Sequence, residues 1–230
     1  WPTGGRHSVG HFIVPLLMGA FAEAVPDRVQ ADSSMMNIFS VKGQNRAGEG
    51  ISSLFFLSGG LGAMRRLDGR ATTPHPSNMT VVATEVWENL TDVTIMRRER
   101  LADTGGAGEY RGGSGQVTEF RNDTNEPLDI ALMGQRTMFA ARGYAGGLDG
   151  KLRSYSLNGE EVDGKGRFLL APGDRMSMYE AGGGGVGDPK LRDPAAVLDD
   201  VAQGHVSEEA AQRHYGVRVG PAGDEDGLPA

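Results

Sequence analysis

Thirteen residues, Asp103-Thr-Gly-Gly-Ala-Gly-Glu-Tyr-Arg-Gly-Gly-Ser-Gly115, constrain this chain more than any other stretch, because six of them are glycine. Glycine gives up more backbone entropy on folding than any other residue. A cluster therefore marks positive φ angles, or a backbone that must pass close to something else. The flanking segments Asp92-Val-Thr-Ile-Met-Arg-Arg98 and Gln116-Val-Thr-Glu-Phe-Arg121 carry the β-branched and aromatic content of strands. The stretch is then a long loop between two strands. On glycine content alone it reads as a tight turn at the rim of a β-structure. The alternative is a nest of backbone N–H groups for an anion, with Arg111 as a bidentate partner for carboxylate or phosphate.

The excess extends along the whole chain. Glycine makes up 36 of 230 residues, about twice its usual share. No collagen-like period accompanies it, so it implies many turns and loops in a β-rich fold. The net charge of −7 argues against a general binder of nucleic acid or anionic membranes. The absence of cysteine excludes disulfides, thiolate metal sites and a cysteine nucleophile, and is compatible with a cytoplasmic location. No run reaches the roughly 18 apolar residues of a membrane span. The apolar segment from Phe12 to Val25 is broken by Pro15 and lacks a basic leader, so it is not read as a signal peptide. The chain does not begin with Met, and Trp1-Pro-Thr-Gly-Gly-Arg6 reads as the interior of a longer polypeptide.

In chain order, Val9 to Val25 predicts a helix stopped by Pro26. Its broad apolar stripe (Phe12, Leu16, Ala20, Ala24, with Ile13, Leu17 and Phe21 beside it) predicts a buried helix, packed against an upstream part of a longer chain. His7 and His11 share a face as a metal pair would, but without a third ligand they read as an ordinary polar helix start. Strands are predicted at 36–41, 53–58, 116–121, 128–133, 151–157, 167–170 and 175–179, with a hairpin at Asn158-Gly159. Arg65, Arg66, Asp68 and Arg70 follow a second glycine loop, either as a solvated turn or as the lining of a polar cleft. Residues 81–88 are ambiguous between strand and helix. Glu85, next to Trp87, is a candidate general base or a helix-start carboxylate. Gly159 to Gly166 nearly matches a phosphate-binding P-loop but lacks the terminal Ser or Thr. Gly182-Gly-Gly-Gly-Val-Gly187 formally contains G-x-G-x-x-G but leads into Asp188-Pro189 rather than a helix, so both motifs are rejected. Asp193 with Pro194 and Gly204, then Ser207 with Gly216, bracket two helices, a hairpin expected on the sheet edge. The whole predicts an α+β fold: β-rich mixed sheets, sandwich-like, with glycine-rich loops, an N-terminal buried helix and a C-terminal helical hairpin. Residues 1–219 form the domain and 220–230 an acidic, disordered tail.

As an ordered set, Gly59-Gly-Leu-Gly-Ala63, Asp103-Thr-Gly-Gly-Ala-Gly108, Tyr110-Arg-Gly-Gly-Ser-Gly115, Gly143-Tyr-Ala-Gly-Gly147, Gly182 to Pro189 and the hairpin residues up to Tyr215-Gly-Val217 resemble the C-terminal part of the hydantoinase B family. That family includes the B-type subunits of ATP-dependent N-methylhydantoinase and 5-oxoprolinase, and related carboxylase subunits. The resemblance implies an enzyme part. An A-type partner would use ATP and magnesium to phosphorylate the amide oxygen of a small-molecule lactam, and the B-type component would complete the hydrolysis. A divalent metal would sit in the upstream part, with no metal residue assigned in this chain, which would be inactive alone. Where the family shows Asn-Thr-Pro-x-Glu, this chain reads Val82-Ala83-Thr84-Glu85, and the missing Pro alters the local geometry around Glu85. Binding a phosphorylated intermediate suits backbone N–H groups and an arginine. The expected catalytic residues are Glu85, Asp103 and Arg111, and the expected substrate-binding residues Gly105, Gly106, Gly108, Gly112, Gly113, Gly183 and Gly184. A ketone carboxylase component is the alternative enzyme. An assembly module that holds the A-type partner, its catalytic residues upstream, is the non-enzymatic one.

Overall fold

The computed structural model describes residues 9–220 apart from residues 74, 78, 80 and 81, so His7 and the tail at 221–230 lie outside the described residues. Strands β1 (Met36–Gln44) and β2 (Gly50–Ser58) form a hairpin that β5 (Leu128–Leu132) and β8 (Arg167–Leu170) extend, in the order β2-β1-β5-β8. Strands β3 (Val93–Arg100), β4 (Gln116–Asn122), β6 (Ser154–Leu157), β7 (Glu160–Val162) and β9 (Arg175–Tyr179) make a second sheet, in the order β3-β4-β9-β6-β7. Every pairing between these strands is antiparallel, and with the helices this gives the expected α+β fold. Alternation explains the packing: in β5, Leu128, Ile130 and Leu132 are buried while Asp129 and Ala131 between them are not.

Inner faces of both sheets meet in one core, centred on Phe39, Phe55, Phe120 and Trp87. Trp87 lies 4.3 Å from Phe55 and 5.3 Å from Phe39 between ring centroids, a spacing that favours offset or edge contacts. Trp87 comes from α2 (Thr84–Thr91), which resolves the ambiguous segment as helix. Asn158 and Gly159 both take positive φ, 53° and 89°, as a two-residue hairpin turn requires, and this gives the short β6–β7 pair. The strand predicted from residue 151 starts at 154, because Lys151 and Arg153 donate their backbone N–H to Thr104 and Arg136 instead.

Beside the sandwich lies a layer built from glycine segments. Strands β3 and β4 pair from Arg100↔Gln116 onward, so residues 101–115 leave and re-enter one sheet edge. In that excursion they pack against 59–63, 141–150 and 181–187. A Cβ on Gly60 would lie 1.8 Å from the carbonyl oxygen of Gly113, one on Gly113 2.0 Å from that of Arg70, and one on Gly183 2.2 Å from that of Leu61. None of these three glycines has a left-handed φ. Close backbone approach, not positive φ, is therefore what requires glycine here.

The C-terminal helices follow their local signals. In α3 (Pro194–Ala202) the Asp193 side chain accepts from the Ala195 N–H. In α4 (Glu208–Ala210), which continues as a π-helical turn to Tyr215, Ser207 accepts from the Ala210 N–H. Gly204 and Gly216 close the two with φ of 71° and 74°. The hairpin's apolar face does not cover a sheet edge as expected. Val197, Val206, Ala210, Ala211 and Tyr215 close over Ala107 of the glycine layer, and Arg100, at the end of edge strand β3, ties the hairpin to the sheet by donating to the Gln203 carbonyl.

Helix α1 (Ile13–Phe21) corrects a second expectation. No residue in it is buried, and Leu16 is 70% exposed. An apolar stripe requires that a face be covered, but the described residues of this chain do not cover it.

Where the sandwich meets the glycine layer, Arg153 and Glu180 form a fully buried ion pair. Asn37 donates to Glu180 Oε1 (2.7 Å), Tyr155 donates to Asn37 (2.8 Å), and Arg153 also donates to the carbonyls of Gln135 and Met35. Burial pushes the Tyr155 hydroxyl well above the ordinary tyrosine range, so it stays a donor.

If the glycine layer is held by backbone contact, Gly60→Ala in the full-length protein should cost about 3 kcal/mol or more of unfolding free energy. Gly50→Ala, where a Cβ would meet nothing within 4 Å, should be close to neutral. Urea unfolding midpoints check this, and equal midpoints for the two variants would refute it.

Candidate functional site

Between the glycine layer, the turn at 64–71 and the C-terminal hairpin lies an open cleft of about 760 Å³. The run Arg66, Asp68, Arg70 lines it, together with Arg100, Arg111 and Arg192. Of the two readings of that run, the cleft is the one the structure gives.

The floor is a network of ion pairs. Arg192 donates to both carboxylate oxygens of Asp68 (2.8 and 2.7 Å) and to Asp200 Oδ2 (2.7 Å). Arg111 donates from Nε to Asp200 Oδ1 (3.0 Å), and its backbone N–H donates to Asp68 Oδ1 (2.7 Å). Asp200, on the inward face of α3, thus holds two arginines. Side-chain exposure is 8% for Arg111, 5% for Arg192 and 6% for Asp200. Burial acts to raise the Asp68 carboxyl, but hydrogen bonds and charge from Arg192, aided by Arg111, outweigh it and hold the group below the usual carboxylate range. The same pairing raises Arg192 despite its burial.

Arg100 and His205 form the rim. Arg100 reaches the His205 ring at 3.0 Å from Nε2. Burial, and then the positive charges of Arg111 and Arg100, lower the His205 imidazole below its ordinary value. At neutral pH the ring is uncharged and accepts from Arg100. Arg66 and Arg70 are exposed.

The residues expected to act together are separated. Arg111 lies in the cleft floor, already committed to Asp200. Asp103 lines a different cavity of about 210 Å³, with Gly105, Lys151 and His214. There its Oδ1 accepts from the Ser207 N–H (2.8 Å) and its own N–H donates to the His205 carbonyl (3.0 Å), so it fastens the glycine segment to the hairpin. Glu85 is exposed in the first turn of α2, while Trp87 points into the core. That is the position of a helix-start carboxylate. Gly106, Gly112, Gly113, Gly183 and Gly184 donate their N–H groups to the carbonyls of Gly183, Gly106, Leu61, Gly113 and Asp32. Those donors are used inside the layer and are not presented to a ligand. Gly105 is packed as tightly, with a Cβ falling 2.1 Å from the Gly112 carbonyl oxygen, and on Gly108 a Cβ would fall 2.7 Å from that of Tyr110. Sequence reasoning missed Arg192 and Asp200 as site residues. Their signal was present only as an Arg192-Asp-Pro194 start and an Asp199-Asp200 pair on a short amphipathic helix. Among the described residues no group of three or more His, Asp or Glu side chains is placed to hold a metal ion. No helix among them is long and apolar enough to cross a membrane.

The family model described as Hydantoinase B/oxoprolinase matches residues 2–189. Caprolactamase subunit beta of Pseudomonas jessenii is 34% identical over 227 residues, covering 90% of this chain and 38% of that one. The acetone carboxylase alpha subunit of Xanthobacter autotrophicus is 25% identical over 178 residues, covering 61% of this chain and 23% of that one. The crystal structure of ATP-dependent caprolactamase from Pseudomonas jessenii superposes with a TM-score of 0.77 at 28% identity, over 90% of this chain and 38% of that one. The chain thus spans about two-fifths of the length of the caprolactamase subunit.

Removing Asp200 would leave two buried guanidinium groups short of a counter-charge. Asp200→Asn is therefore expected to cost about 3–5 kcal/mol, measured by denaturant unfolding of the full-length protein. Asp68 carries a pH signature. Its folded-state pKa is depressed, so its stabilisation is present above the unfolded carboxylate value and is lost as pH falls through the lower folded value. Asp68→Asn should flatten the acid limb of the stability profile. An unchanged acid limb would show that the Arg192 pairing contributes nothing.

Proposed function

Because the chain belongs to the hydantoinase B/oxoprolinase family, we propose that it is the C-terminal part of the B-type component of an ATP-dependent cyclic-amide hydrolase acting in the cytoplasm. The observation that carries the reading is its superposition, over 90% of its length, on an ATP-dependent caprolactamase. Amide resonance makes a lactam carbonyl a poor electrophile. In this reading an A-type partner transfers the γ-phosphoryl group of ATP, with magnesium, to the amide oxygen and releases ADP. Water then adds to the activated carbon, the C–N bond breaks and the amine leaves with a proton. A second water releases phosphate and leaves a carboxylate.

Within this scheme the chain's residues shape and hold the site. Asp103 and Arg111 are positioning residues: Asp103 accepts from the Ser207 N–H of the hairpin, and Arg111 donates to Asp200 of the hairpin and to the Gly112 carbonyl of its own segment. The glycines of 105–113 and 183–184 fix the backbone to which Arg111 belongs. Glu85 would orient a water only where substrate reaches the exposed start of α2. A divalent metal, where the reaction uses one, belongs to the upstream part of the subunit.

Resemblance to an acetone carboxylase alpha subunit favours a second reading, a component that passes an activated ketone to carboxylation. One assay separates the two. Phosphate release from ATP by the full-length subunit with its A-type partner is measured with 5-oxoproline, N-methylhydantoin, caprolactam and simple ketones, alongside product. Ring opening in step with ATP use is the expected result, and residues 1–230 alone should give none. Arg111→Ala should lower turnover roughly 10²-fold by displacing the layer. ATP use only with a ketone and bicarbonate would replace the hydrolase reading, and unchanged turnover in Arg111→Ala would remove that residue from the account.

A further inference from the structure

The cleft floor is internally neutralised, but its rim is not. Five arginines line the cleft against the carboxylates of Asp68, Glu109 and Asp193, in a chain whose net charge is −7. Two of those arginines, Arg111 and Arg192, are spent on Asp68 and Asp200. Arg66, Arg70 and Arg100 remain without a carboxylate partner among the described residues. Their neighbour Arg65, which does not line the cleft, is paired with Asp27 at 2.6 Å. Arg100 is held in place from behind by the Gln203 carbonyl and the His205 ring, so its remaining N–H groups are oriented before any ligand arrives. Arg66 sits in the turn closed by the Met64 and Leu67 backbones at a φ of 70°, a conformation that an arginine adopts at a cost. Within the floor, the buried Nε of Arg192 makes no hydrogen bond.

Planar guanidinium groups presented in this way match a tetrahedral oxyanion, and they bind phosphate by paired, charge-assisted hydrogen bonds. At about 760 Å³ the cleft exceeds what an inorganic ion needs and has room for a small molecule carrying the anion. We propose that this cleft is a phosphate-binding site, with Arg70 and Arg100 gripping the phosphoryl oxygens, Arg66 at the entrance, and Asp200 positioning the floor. The site lies apart from the N–H groups of Gly106, Gly112, Gly113, Gly183 and Gly184, which are bonded within the layer, and the proposal does not depend on which reaction the full-length protein performs.

The test is calorimetric titration of the full-length subunit, without its ATP-using partner, with inorganic phosphate, glycerol phosphate and acetate. Wild type, Arg70→Ala/Arg100→Ala and the control Arg65→Ala are compared, with melting temperatures to confirm folding. Phosphate binding that weakens by about tenfold or more in the double variant, and not in Arg65→Ala, is the expected result. Tighter binding of glycerol phosphate than of inorganic phosphate would assign the occupant to an organic monoester, and the reverse to free phosphate; either supports the site. Absence of phosphate binding by wild type, unchanged binding by a folded double variant, or equal affinity for acetate would overturn the proposal. Should the double variant fail to fold, Arg70→Lys and Arg100→Lys singly keep the charge but lose the paired donors, and undiminished phosphate affinity in both would be equally decisive against it.

Discussion

The fold depends on backbones brought closer than any side chain permits. Along 59–63, 104–115, 141–150 and 181–187, the space a Cβ would fill is occupied by a carbonyl oxygen of the neighbouring segment, repeatedly at about 2 Å. Glycine costs entropy at each such position, and the return is a layer in which segments exchange N–H···O=C bonds laterally without being strands. Parts of the cleft and of the smaller cavity are mounted on that layer. Arg111 projects from it into the cleft, Asp103 ties it to the hairpin, and Arg70 presents its carbonyl to it while its side chain stays at the cleft rim.

Two buried ionic clusters lock the layer to its neighbours. Arg153 and Glu180 join it to the sandwich, and Asp200 with Arg111, Arg192 and Asp68 joins it to the helical hairpin. Burying such charges is worthwhile only when nearly every donor and acceptor is satisfied. Both clusters meet most of that demand with backbone carbonyls as well as with each other. They fix a register that apolar contacts alone, with only Ala107 of the glycine excursion in the hairpin core, would leave loose.

Elements defined by adjacent residues were legible in the sequence. Asn158-Gly159, Asp193-Pro194, Ser207, Gly204 and Gly216 each sit where their local chemistry places them. The glycine segments were visible, but their purpose was not. A glycine kept for close approach looks the same as one kept for a turn when the approaching chain is 70 residues away, as Gly183 is from Gly113. Arg111 was singled out for chemistry because its partner Asp200 lies 89 residues further on, and the Asp68–Arg192 pair spans 124. The stripe on α1 marked an apolar face, yet a stripe does not say what covers it, and the described residues leave it exposed. Fold class and family were thus readable from pattern and motif order, whereas the site had to wait for the third dimension.

In this structure the N–H groups of Gly106, Gly112, Gly113, Gly183 and Gly184 hold the layer together rather than cradle a ligand. Hydrogen–deuterium exchange of the full-length protein, resolved to the amides of Gly106, Gly113 and Gly183, tests it most directly. These amides are expected to exchange as slowly as those of the β4 core and to be indifferent to added phosphate. Rapid exchange that becomes protected on adding phosphate would mean the donors are open to a ligand, and would contradict it.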